Sequence, residues 1–318
     1  MSGVAAARAL HEAGVDVTVL DRGRRIGGRM AVRTLRGTGL PYDGHPVDVG
    51  AAYLTVADPG FRSVVTSWQR RDLVRPWTDT FLVAGPEGRR GHTRGPMRYA
   101  ATFGLRSLVE DLADGLPAVV HPTEVESVSR VDGGVLVDET WFDAAVLALP
   151  GPQARDLVAD DDPVVPALDS VAFDPVLCLV AAYDDHRWDP FDGMFVHDSQ
   201  LLSVVVDDGR RRGDGAPVLV AHSTPQLAAD HLDDPASAAP LLLAALREVV
   251  GTAGDPAWHD VRRWSLAKPR VTRGTDFAWD GVVGLCGDAW GERSRVETAW
   301  TSGTRLAEAM LATLAVRH

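Results

Sequence analysis

Three features of the sequence predict the fold class. Val17–Leu20 is an apolar run closed by Asp21, with a double glycine, Gly27–Gly28, just beyond it. Val282–Leu285 is a second apolar run, and it delivers Gly287–Asp288 soon after its end. Strand-like and helix-like segments are interspersed between the two. This order predicts an α/β protein: a Rossmann-like nucleotide-binding domain plus a smaller antiparallel-sheet substrate domain.

Each element carries its own signal. Ser2–Ala13 reads as a helix, with Ala5, Leu10 and Ala13 on its apolar face and Gly14 as its stop. A nucleotide cradle of this class needs a strand, a G-x-G-x-x-G turn and a helix whose N-terminus faces a pyrophosphate. Gly3 stands as the third glycine of that turn. The reading therefore expects the first strand and the first two glycines to be encoded directly upstream of Met1. Its alternative is an N-terminally truncated, catalytically inactive remnant acting as a binding protein. Loss of a central strand would cost such a remnant about 1–3 kcal/mol for every buried polar group left without a partner.

Asp21, at the end of its strand, can grip a ribose hydroxyl. Pro41–Thr55 reads as extended chain entering a glycine turn, and a mixed region with Trp68, Trp77 and Tyr99 follows. A helix is expected near Leu105–Leu112. Val119–Val137 alternates around Asp132-Gly133-Gly134, which predicts a hairpin. Asp143–Pro150 reads as a doubly buried strand ended by proline. Short apolar runs from Val171 to Val220 predict an antiparallel sheet, Pro240–Val250 a helix, and Val296–Val316 a long amphipathic helix. The division expected from this order assigns 1–57, 100–165 and 262–318 to the nucleotide-binding domain, and 58–99 and 166–261 to the substrate domain.

Composition narrows the class. The chain has 318 residues, 45% of them hydrophobic, enough for a sizeable core. A net charge of −12 argues against nucleic acid as a partner. No apolar run approaches the roughly 18 residues of a membrane span. The two cysteines, Cys178 and Cys286, suggest a reducing cytoplasm rather than a disulfide framework. No metal-ligand spacing occurs, and His45, His92 and His222 are not spaced as ligands.

The segments DRGRRIGGRM, DVGAAYLT, FDAAVLALPGPQA, RRWSLA and GDAWGERSRVETAWTSG follow one another over nearly the whole chain. In that order they resemble flavin-dependent amine-oxidase-like proteins, most of all the renalase-like bacterial branch. The resemblance implies FAD held between two domains. It also implies hydride removal from a small-molecule substrate, a misreduced nicotinamide or an amine, with oxygen or another electron acceptor restoring the flavin. Carried over by position, Asp21 would bind the adenosine ribose and Val125 the adenine. Gly28 and Arg29 would lie near the phosphates and flavin, and Gly50 and Ala51 would back the ring. Gly287–Asp288 would hold the ribityl or pyrophosphate region, and Val296 and Glu297 would reach the pyrimidine edge. Lys268, the sole lysine, is the one catalytic candidate, as a lysine that positions water. Two departures bear on the pocket: Ala52 stands where many relatives have glutamine, and Thr298 where glycine is common.

Overall fold

The computed structural model describes residues 1–85, 88–169, 171–251 and 254–317. The α/β expectation holds. Helix Ser2–Glu12 buries Val4, Ala5, Ala6, Ala7 and Leu10. Its small residues permit close approach to the C-terminal helix Val296–Arg317: a Cβ on Gly303 would lie 2.1 Å from the Ser2 carbonyl oxygen. On the strand side, a Cβ on Gly3 would lie 2.9 Å from the Ala148 methyl.

Parallel pairing within this half of the molecule occurs in two separate pieces. Thr18–Leu20 pairs in parallel with Ala118–Val120. Ala145–Leu147 pairs in parallel with Val283–Leu285, which also takes Ala278–Trp279 antiparallel. The predicted hairpin forms from Val128–Val131 and Gly134–Val137, with Gly133 at φ +82° in its turn. Ala118–Val120 is not part of it, because its partner is the strand before Asp21 rather than a sequence neighbour.

The largest sheet has eight strands. Their order is Trp258–Pro269, Phe173–Ala182, Val218–Ser223, Leu202–Asp207, Gly193–Val196, Val74–Gly85, Gly88–Ala101 and Leu54–Thr55. All neighbours are antiparallel except Gly193–Val196 beside Val74–Gly85. The mixed region after residue 57 resolves into helix Pro59–Arg70 and the long hairpin Val74–Gly85/Gly88–Ala101. The hairpin's second strand, GRRGHTRGPMRYAA, lacks apolar alternation, so the strand signal was missing there. The expected domain boundary between residues 261 and 262 falls inside the unbroken strand Trp258–Pro269.

Both faces of this sheet are covered. Leu177, Leu179, Ala181, Leu219 and Ala221 pack with Leu242 and Leu246 of helix Ala239–Val250. The alternate residues Cys178, Val180, Ala182, Val218 and Val220 pack on Leu35, Tyr42, Val47 and Val49. A buried charge cluster ties that second layer down. Asp48, in strand Pro46–Asp48, pairs at 2.6 Å with Arg211 of the short helix Asp208–Arg212, and both side chains are 1% exposed. Asp208 pairs with Arg211 at 2.7 Å and with Arg212 at 2.6 Å. Burial pushes the Asp48 carboxyl up to about 6, against the pull of Arg211. Asp48 Oδ1 also accepts the Leu105 N–H at 2.8 Å.

Arg211→Leu leaves two buried carboxylates short of a cation. It is expected to cost about 3–5 kcal/mol of stability, read from urea unfolding. His222, beside Cys178 and Val204 in the sheet, is held down at about 4 by burial. The unfolded chain protonates it below about pH 6.5, whereas the folded chain does not until about 4, so its contribution to stability is lost as pH falls through that window. Unfolding titrations from pH 7 to 4 should show wild type losing stability relative to His222→Gln. Parallel profiles would contradict this.

Candidate functional site

Gly27 at φ +124° and Gly28 at φ +51° turn the chain after the Asp21 strand into the short 3-10 turn Gly28–Met30. A side chain on Gly28 would meet nothing within 4 Å, so this turn presents open backbone. Ile26 and Met30 sink into a cluster that Ala51, Val296 and Trp300 also join. That cluster sets the glycine turn, the Gly50–Ala51 segment and the start of the C-terminal helix side by side.

Arg29 links the same segments through polar bonds. Its guanidinium donates to both oxygens of Asp288, through Nη1 at 3.0 Å and through Nη2, and to the Ala267 carbonyl at 3.2 Å. Its own carbonyl accepts the Ala51 N–H at 2.9 Å, and a Cβ on Gly50 would lie 2.0 Å from that oxygen. Only glycine fits at position 50. Trp264 braces the segment from the far side, its Nε1 donating to the Val49 carbonyl at 2.7 Å. Asp288 accepts a further bond from Ser294 Oγ at 2.6 Å, and Gly287 donates its N–H to Ser302 Oγ at 3.0 Å. A cavity of about 20 Å³ touches Gly287, Asp288 and Trp290.

The remaining expected residues divide. Asp21 Oδ1 accepts the Gly23 N–H at 2.7 Å, a turn bond within its own loop. Val125 packs with Val128, Leu147 and Leu285 in a separate cluster. Gly3 sits in the first helix against Ala148. Glu297 is buried, and its Oε1 accepts the N–H groups of Ala57 and Asp58 at 2.5 and 2.6 Å. Its carboxylate therefore anchors the chain ahead of helix Pro59–Arg70, which Asp58 caps through Phe61 N–H at 2.9 Å. The Thr298 hydroxyl bonds back to the Arg293 carbonyl at 2.5 Å. Lys268 is exposed and lies opposite Asp174 in the large sheet. Among the described residues no bond joins its side chain to Arg29 or Asp288. A cleft of about 540 Å³ lined by Arg89, His186, Glu248 and neighbours shares no residue with this centre.

One residue at the site carried no sequence signal. Arg106 lies against the glycine turn, its Cγ 3.1 Å from where a Gly27 Cβ would be, and its Nε is buried without a hydrogen-bond partner. Burial depresses its basicity, with Glu110 pulling the other way and Arg25 adding to the depression.

A family model described as flavin containing amine oxidoreductase matches residues 1–79 and 79–311, and the chain belongs to that family. Its cofactor is FAD. Solved structures share the fold. A protein assigned as a protoporphyrinogen oxidase from Exiguobacterium sp. 255-15 superposes with a TM-score of 0.78 at 16% identity, over 99% of this chain and 97% of that one. Cyclohexylamine oxidase from Brevibacterium oxydans IH-35A gives 0.76 at 13% identity, over 99% and 97%. An A394C variant of putrescine oxidase gives 0.75 at 15% identity, over 98% and 96%.

The residues present fit such a cofactor. The open backbone at Gly28 and the orphaned Arg106 Nε are what a phosphate oxygen satisfies. Arg106→Met is expected to weaken FAD retention at least tenfold, about 1.4 kcal/mol. The measurement is FAD released per chain after dialysis and denaturation, with far-UV dichroism as the folding control. Unchanged retention would remove Arg106 from the cradle.

Proposed function

We propose that this chain is an FAD-dependent oxidase of the renalase-like kind. It takes a hydride from a small reduced donor, a misreduced nicotinamide or an amine, and oxygen or another acceptor receives the electrons. The observation that supports this best is the Arg29 junction, which gathers the glycine turn, Gly50–Ala51 and Gly287–Asp288 at one place. Bound FAD supplies the hydride acceptor itself.

The chain's own part is binding and orientation. In this reading Asp21 holds the adenosine ribose, Val125 lines the adenine, and Gly28 with Arg106 receives the phosphates. Arg29 fixes Asp288, so that Gly287–Asp288 meets the ribityl region. Gly50 and Ala51 back the ring, and glycine at 50 keeps that segment against the Arg29 carbonyl, where a larger residue would collide. The first turn of helix Val296–Arg317 offers N–H groups and a positive dipole end to the pyrimidine edge, worth about 0.3–1 kcal/mol per favourable charge. Val296 serves there through its backbone, and Glu297 through holding Ala57 and Asp58. Lys268 is given no role. The two-domain division belongs to the same reading, with strand Trp258–Pro269 kept whole on the substrate side.

Anaerobic mixing of the FAD-loaded protein with borohydride-reduced nicotinamide dinucleotide isomers, and separately with benzylamine, tests the proposal. Bleaching of the flavin band by at least one donor, with peroxide formed in proportion on admitting air, is the expected result. A protein that acquires no flavin from excess FAD, or whose flavin no donor reduces, would overturn it.

A further inference from the structure

We propose that Arg98 and Trp77 form an oxyanion site that holds a carboxylate or phosphate of the donor, a proposal that rests on the oxidase reading above. Arg98 is 5% exposed. Its Nε and Nη1 are buried with no hydrogen-bond partner, and no ion pair of this side chain occurs among the described residues. Ring faces surround it instead: its Cζ lies 4.0 Å from the centroid of Phe81, 5.3 Å from Tyr53 and 5.8 Å from Phe195. The indole Nε1 of Trp77, buried in the same cluster, also lacks a partner.

The fold's other deeply buried guanidiniums behave differently. Arg211 and Arg212, at 1% and 2% side-chain exposure, are both matched to Asp208. Contact with aromatic faces offsets only part of the cost of dehydrating a guanidinium. An oxyanion would satisfy the two open Arg98 nitrogens together with the indole N–H, and its charge would be neutralised there.

Position ties the cluster to the flavin segment. Tyr53 follows Ala51 by two residues, and its ring meets Trp77 at 6.2 Å and Phe81 at 5.7 Å. Thr55 and Thr78 both face Arg98 across the sheet. Phe81 is fully buried, while Tyr53, Trp77 and Phe195 are only partly so, and part of the cluster's outer surface therefore meets solvent. With Ala52 in place of a larger polar residue, no amide is supplied there, and the fixed charge held in this cluster is positive. A donor bearing an ammonium group would face repulsion at this point. An anionic donor with an apolar body would be drawn in.

The test uses the FAD-loaded protein and four probes of similar shape: benzoate, phenyl phosphate, benzamide and benzylamine. Binding is read by calorimetry and by quenching of tryptophan fluorescence. At least one anion is expected to bind tenfold or more tightly than benzamide, and benzylamine more weakly than benzamide. Whichever anion wins identifies the oxyanion. Arg98→Met should abolish the preference without lowering FAD content. If that variant does not fold, Arg98→Lys should keep the preference and Trp77→Phe should reduce it several-fold. Equal binding of anions and benzamide, or a preference that survives unchanged in Arg98→Met, would overturn the proposal. Anion binding through Arg98 in a protein that oxidises no donor would sink the oxidase reading alone. Turnover without anion preference would sink the oxyanion site alone.

Discussion

The ion pair between Asp48 and Arg211 is the constraint on which the site depends. Strand Pro46–Asp48 is three residues long, too short to hold a position by its own ladder with Val32–Thr34. Asp48 instead reaches down to Arg211 on the large sheet's side and up to the Leu105 N–H. Two residues later the chain passes Gly50, where the backbone lies too close to Arg29 for any side chain. A shift at Asp48 would therefore be felt at the Gly50–Ala51 segment with little slack between. Removing one partner of such a pair is costly because the other is then left buried and charged.

Three buried or half-buried arginines around this region show three ways of meeting the same cost. Arg211 is matched by carboxylates on both sides. Arg29 is matched by Asp288 and a carbonyl, so its charge is spent on joining segments. Among the described residues Arg98 is met by ring faces, with no ion pair. The first two are complete within the folded chain, and the third is not. That contrast separates guanidiniums that build the scaffold from one placed toward something that arrives from outside.

Aromatic packing supports the same division of labour. Phe61 meets Trp68 and Trp300 within the layer beneath the glycine turn, where Trp68 Nε1 finds Asp111 at 2.8 Å. Those rings are fully used in packing and in one hydrogen bond. Around Tyr53, Trp77 and Phe81 the rings are tilted or edge-on to one another, and the indole donor is left open. The first group holds a helix in place, while the second leaves a polar handle available.

Local pattern was enough for much of the fold. Helix Ser2–Glu12, strand Thr18–Leu20, helices Arg106–Ala113 and Ala239–Val250, and helix Val296–Arg317 lie where periodicity, stops and charge place them. The glycine turn and Gly287–Asp288 were likewise legible, because a glycine beside an apolar strand is a local signal. Pairing was not. Ala118–Val120 joins Thr18–Leu20 across about a hundred intervening residues, and no feature of either run names its partner. The strand Gly88–Ala101 hides among arginines, of which Arg89, Arg90 and Arg94 form ion pairs at or near the surface while Arg98 is buried. The sequence by itself determined the α/β class and the places of the glycine turn and of Gly287–Asp288, since those follow from backbone freedom and periodicity. Only the tertiary structure decided that Glu297 anchors a loop, that Arg29 turns to Asp288, and that Arg98 lies unmatched among rings. A side chain's partner is set by which distant segments the packing brings within reach.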